Sequence, residues 1–125
     1  MIKLTFCLTR KSELTREAFQ EYWLKEHGPR VRSDQKKLRI KRYVQLHSAT
    51  DPLNDAIRAS RNAPEMYDGV AQLWWESIEE LQAGMSTPEG QEAGAQLLED
   101  EKKFIDLERS PLWIGEEHEI IAAGD

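Results

Sequence analysis

Apolar residues along this chain switch between two spacings, and the order of the switches leaves few folds open. Residues 2–9 (IKLTFCLT) place Ile2, Leu4, Phe6 and Leu8 at every second position, the period of a strand. In residues 15–29 (TREAFQEYWLKEHGP), Phe19, Tyr22, Trp23 and His27 recur three and four apart, the spacing of one helix face. Thr15 can cap that helix through its hydroxyl. Gly28-Pro29 predicts its end, because glycine accepts a left-handed exit and proline cannot continue the N–H ladder. Further helical turns are expected from Val31 to Leu38.

Residues 39–47 alternate again, with Ile40, Val44 and Leu46 on one face and Lys41, Tyr43, Gln45 and His47 on the other. Residues 48–66 carry turn chemistry around Asp51-Pro52 and Ala63-Pro64, with a short helix expected near Asn54–Ala59. Residues 67–75 (YDGVAQLWW) read as a third strand, in which Gly69 marks a bulge or a close backbone approach. Ser77 followed by Glu80 is a capping box, and Thr87-Pro88-Glu89 is a second helix start. Ala93, Leu97 and Phe104 extend an apolar face to about Leu107, and residues 112–121 read as the last strand.

The order is βαββαβ. It predicts an α+β, ferredoxin-like fold: a four-stranded antiparallel sheet with the helices on one face. A chain of 125 residues suits one domain, residues 1–121, with 122–125 as a tail. Apolar residues fall at both parities in three strands, as in Trp74-Trp75. Both sheet faces should therefore be buried, which predicts a homodimer through the open face.

Composition excludes several classes. The net charge of −6 divides unevenly, about +7 over residues 1–50 and −13 over residues 51–125. The basic cluster around Lys36, Lys37, Arg39, Lys41 and Arg42 lacks interleaved aromatics, so no nucleic-acid partner is expected. No apolar run approaches the roughly 20 residues of a membrane span, and the N-terminal stretch lacks a signal-peptide pattern. The single cysteine, Cys7, has no intrachain partner and fits a cytoplasmic location. The histidine spacings fit no metal motif, and there is no phosphate loop or dinucleotide fingerprint, so neither metal nor other cofactor is expected.

Three residues stand out chemically. His27 ends an apolar helix face, where an imidazole can act as a general acid or base or merely satisfy terminal carbonyls. His47 closes the second strand and could equally bond a loop carbonyl. Asp68, beside Gly69, could fix an imidazole's tautomer or simply hold a turn.

The helix ending YWLKEHGP, the strands RYVQLH and DGVAQLWW, and the later TPEG and FIDLERSPLW together resemble the EthD-domain family of the dimeric α+β barrel superfamily. The resemblance covers residues 1–121 apart from the 48–66 segment. It implies a pocket between helices and sheet, with His27, His47 and Asp68 as catalytic groups. Phe6, Tyr22, Trp23, Tyr43, Trp74 and Phe104 would be its substrate-binding walls. It also implies a cofactor-independent enzyme, a lyase or isomerase. Such an enzyme would isomerise, dehydrate or decarboxylate a small aromatic, polyketide or lactone-like molecule. The alternative is a non-catalytic dimeric binding protein for a hydrophobic metabolite, accessory to a degradation pathway.

Overall fold

Four strands in one sheet organise the computed structural model, which describes residues 1–125. Strands β1 (Ile2–Leu8), β2 (Arg42–His47), β3 (Gly69–Trp75) and β4 (Leu112–Glu116) lie in the order β2-β3-β1-β4. Every neighbouring pair is antiparallel, with Ile2 opposite Trp75, and both Leu8 and His47 opposite Gly69. This is the ferredoxin-like arrangement that the βαββαβ order predicts.

Strand alternation decides which side meets the helices. Phe6, Leu8 and Ala71 form one buried cluster with Phe19, Trp23 and Phe104 from the helical layer. Ile2 and Trp75 form a second with Val31, Ile40 and Leu97. The intervening residues Lys3, Thr5, Cys7, Val70, Gln72 and Trp74 face the other way. Val44 and Leu46 do too, while Tyr43, Gln45 and His47 face the helices. Ile40 is buried on the helical side, not with Val44 and Leu46 as its parity predicts. It precedes β2, and the bend at Lys41 resets the alternation.

The first helix departs most from expectation. Gly28-Pro29 does not stop it. Helical backbone continues from α1 (Arg16–Tyr22) through a π-helical turn (Trp23–His27) into α2 (Gly28–Ser33), with Gly28 itself right-handed at φ −52°. The Gly28 N–H bonds the Trp23 carbonyl, five residues back. Pro29 explains the wide turn: it brings no N–H, and in a regular helix its ring would strike the carbonyl four residues earlier. The chain bends at Asp34, runs through α3 (Gln35–Leu38) and ends at Arg39, which is left-handed at φ 62°.

Capping follows the sequence closely. The Thr15 hydroxyl accepts from Ala18 N–H, Ser77 from Glu80 N–H, and Thr87 from Gly90 N–H. The 48–66 segment contains α4 (Pro52–Arg61), longer than expected, because Asp51 caps it and Asn62 ends it at φ 49°. Helices α5 (Ile78–Ser86) and α6 (Pro88–Glu101) complete the layer. Strand β4 stops at Glu116 and not at 121, since Glu116 already stands opposite Ile2 at the end of β1. Beyond it Ile120 and Ile121 are exposed. No helix is long and apolar enough to cross a membrane.

Gly69 is paired regularly, so it marks no bulge but a close approach. A Cβ there would fall onto the Trp23 ring and 2.9 Å from the Leu46 carbonyl oxygen. The missing side chain leaves the room that the Trp23 ring occupies against β3.

Candidate functional site

Between sheet and helices lies a cavity of about 120 Å³, walled mainly by apolar side chains. Its three polar members are His27, Tyr43 and Glu101. The continuous helix carries His27 one turn beyond Trp23, and both are buried. Phe104 packs against the imidazole at 5.2 Å between centroids.

His27 Nδ1 lies 2.7 Å from Asp100 Oδ2 in the last turn of α6. Asp100 is 2% exposed, and its other oxygen accepts the Tyr22 hydroxyl at 2.5 Å. Arg30 Nε at 3.6 Å and Lys103 Nζ at 3.5 Å add positive charge. Burial alone would raise the Asp100 pKa. Hydrogen bonds from Tyr22 and His27, with the Arg30 charge, outweigh that and hold it below the usual carboxylate value. Burial depresses the His27 pKa, and Asp100 restores only part of the loss. Burial first, and then the same carboxylate, push the Tyr22 phenol up to about 12. At neutral pH the pair is therefore an ionised Asp100 accepting from the Nδ1–H of a neutral His27. The lone pair is left on Nε2, which has no protein partner.

Glu101 lines the same cavity, and its pKa is raised to about 7 by burial first and by the neighbouring Asp100 charge second. Tyr43 accepts Gln45 Nε2–H at 2.8 Å, which leaves its own O–H proton free. Gln45 Nε2 also donates to the Trp23 carbonyl at 2.9 Å, clamping the π turn to β2.

His47 is placed elsewhere. Both Gln45 amide hydrogens are used, so Gln45 Oε1 accepts from His47 Nε2–H at 2.8 Å. The ring stacks on Trp23 at 4.6 Å and 18°. It lines a larger outer groove, not the cavity that holds His27. The two imidazoles do not converge. Asp68 orients neither of them: it accepts Arg10 N–H at 2.8 Å, Arg10 Nη1 at 2.5 Å and Arg16 Nε at 2.9 Å. It locks the start of β3 to the β1–α1 connection, and the orienting carboxylate is Asp100.

Of the expected walls, Phe6, Trp23 and Tyr43 line the cavity. Tyr22 serves Asp100, and Phe104 supports the cluster from behind. Trp74 is on the opposite sheet face, its indole N–H donating to Glu117 beneath the Arg42 and Lys3 cations. Trp75 takes the position expected of it, with its Nε1–H on the Leu38 carbonyl at 2.8 Å. One residue of register separates the two, and strand parity settles which side each meets.

Asp100 and Glu101 escaped the sequence reading because the run LLEDEKKF looks like a solvated charge cluster. The signal was there: they stand three and four residues after Leu97, on the stripe of Gly90, Ala93 and Leu97 that is buried in α6. No three His, Cys, Asp or Glu side chains come together as a metal site would need.

A family model for the EthD domain matches residues 11–108. Three solved structures illustrate the likeness. One is an EthD family protein from Bacillus halodurans, 24% identical, covering 94% of this chain and 99% of that one, at TM-score 0.62. HapK from Hahella chejuensis is 14% identical, with 99% and 100% covered, also at 0.62. A dimeric protein of unknown function and ferredoxin-like fold from Bacteroides fragilis is 9% identical, with 93% and 95% covered, at 0.58. No curated protein sequence matches the chain.

Proposed function

Because the chain belongs to the EthD domain family, we propose that it is a small cofactor-independent enzyme working by general acid/base chemistry beside a carbonyl. One observation carries this reading. Two proton carriers share a small apolar cavity, and their pKa values are displaced in opposite directions, past each other: His27 downward, Glu101 up to about 7. Environments that split such groups are what acid/base assignments require.

In this reading His27 Nε2 takes a proton from the carbon next to the carbonyl. The electron pair moves to the carbonyl oxygen, where the free Tyr43 O–H stabilises it. Protonated Glu101 then delivers a proton to another carbon, which is isomerisation, or to a leaving hydroxyl, which is dehydration. In decarboxylation it would protonate the carbanion left by carbon dioxide. A cavity near 120 Å³ is close to the size, about 150 Å³, that accommodates one benzene ring. The substrate class is therefore a monocyclic aromatic or lactone-like carbonyl compound.

Glu101 supplies the test. It must be protonated to act as the acid, so turnover should fall as pH rises through about 7. In Glu101→Gln that limb of the pH–rate profile should vanish. Stability follows with the same sign. Its folded pKa is raised, so its contribution is full below the unfolded value near 4.5 and is lost as pH rises through 7. Above pH 8, Glu101→Gln should exceed the parent in stability by about 1–3 kcal/mol. A profile that keeps its limb in the variant would remove Glu101 from the mechanism.

A second reading, a binding protein without turnover, draws on the separation of the two histidines into different cavities. It predicts saturable ligand binding with no proton exchange in the ligand.

The proposal includes a homodimer through the open sheet face. Leu46 and Trp113 are 56% and 54% exposed there, beside half-buried Val44 and Val70. The Bacteroides fragilis relative is described as dimeric. Sedimentation should give twice the 14.5 kDa of one chain; a stable species of 14.5 kDa would contradict the pairing. The unpaired Cys7 suits a reducing cytoplasm.

A further inference from the structure

We propose that the outer groove beside β2 is an anion subsite, and that the ligand is a monocyclic aromatic carboxylate whose ring enters the inner cavity while its carboxylate stays in the groove. This rests on the acid/base reading of the inner cavity and adds the charge of the substrate to it.

The groove has a volume of about 710 Å³ and runs between α2 and the edge strand β2. Arg32, Lys41 and Arg42 line it, and no aspartate or glutamate does. The lining comes from the basic first half of the chain, about +7 over residues 1–50. Neighbouring cations are matched: Arg39 is held by Glu80 at 3.1 Å, and Arg30 lies 3.6 Å from Asp100. Arg32 and Lys41 have no carboxylate partner; the Arg42 guanidinium rests on the Trp74 ring at 4.6 Å, on the opposite sheet face, and adds no charge to the groove. The fold puts these charges in place. Arg32 is on the last turn of α2, and the left-handed Arg39 and the bend at Lys41 swing the start of β2 across from it.

The groove and the cavity lie on either side of a common wall. Val31, Ile40 and Tyr43 line both. A ligand crossing that shared wall would pass from a basic, open groove to a mainly apolar cavity. It would need a charged end, a short tether and a ring of about benzene size. A free carboxylate matches two unpaired cations, and burying it in the inner cavity beside Asp100 would be costly. The groove therefore sets which end of the molecule meets His27.

Binding can be read without turnover. Trp23 and Trp75 line the inner cavity, so their fluorescence reports a ring arriving there. The full-length protein is titrated with phenylbutyrate and with its neutral analogue phenylbutanol. At low salt the anion should bind about tenfold more tightly, and the advantage should shrink at about 0.5 M salt. In the double variant Arg32→Gln, Lys41→Gln the two ligands should bind alike, with phenylbutanol unchanged. Equal binding of both ligands to the parent protein overturns the proposal. So does an anion preference that survives in the double variant, or failure of both ligands to bind. His27→Ala should leave the preference intact, so an active His27→Ala variant would sink the acid/base reading while leaving the subsite standing.

Discussion

Replacing Asp100 by asparagine is expected to slow turnover roughly 10²–10⁴-fold with little change in shape. The carboxylate accepts two hydrogen bonds, from His27 Nδ1–H and from the Tyr22 hydroxyl. An amide has one acceptor oxygen, so one donor must give way. If the Tyr22 hydroxyl keeps the oxygen, the Asn amide faces His27 Nδ1 and can only donate to it. The imidazole then carries its proton on Nε2, and the lone pair leaves the cavity. If His27 keeps the oxygen, the half-buried Tyr22 hydroxyl loses its acceptor instead. Asp100→Ala removes both bonds at a site 2% exposed, at a cost of about 2–5 kcal/mol. The pH dependence of stability gives an independent check. The folded Asp100 pKa is depressed, so its contribution is present above the unfolded value near 3.8. It is lost as pH falls through the lower folded value. Denaturation at pH 7 and pH 3 should show the parent losing part of that increment, and Asp100→Ala should have none to lose.

His27→Ala is expected to reduce proton transfer by roughly 10²–10⁴-fold. It should also cost about 2–3 kcal/mol of stability, since it empties a buried position and strands one oxygen of Asp100. The reaction can be followed as deuterium uptake next to the carbonyl of a bound aryl ketone or lactone in heavy water. Thermal unfolding on the same samples separates lost chemistry from lost fold. An unfolded fraction of a few per cent cannot account for a hundredfold deficit. Deuterium uptake at the parent rate in a folded His27→Ala would assign the chemistry elsewhere.

Much of the fold was legible because strand and helix periods are local signals. Ile2, Leu4, Phe6 and Leu8 announce β1, and Thr15, Ser77 and Thr87 announce their helices. The misreadings share a cause: each needed a neighbour in space. Gly28-Pro29 reads as a stop unless the π turn before it is known, and that turn is clamped from β2 by Gln45. Trp74 and Trp75 are indistinguishable until pairing with Ile2 sends Trp75 to the helices. His27 was visible at the end of an apolar stripe. Its partner was not, because 73 residues separate it from Asp100 in sequence. Asp68, near His47 in the sheet, drew the orienting role. Two arginines from the β1–α1 connection claim it instead.

The central claim concerns one ring: a neutral imidazole, its Nδ1–H on Asp100, its Nε2 without a protein partner beside a mainly apolar cavity. Nitrogen-15 NMR of the His27 side chain between pH 5 and 8 tests this directly and needs no substrate. The account predicts the neutral Nδ1–H tautomer at pH 7, with a titration midpoint below the ordinary histidine value. An Nε2–H tautomer, or an imidazolium that persists at pH 7, would contradict it.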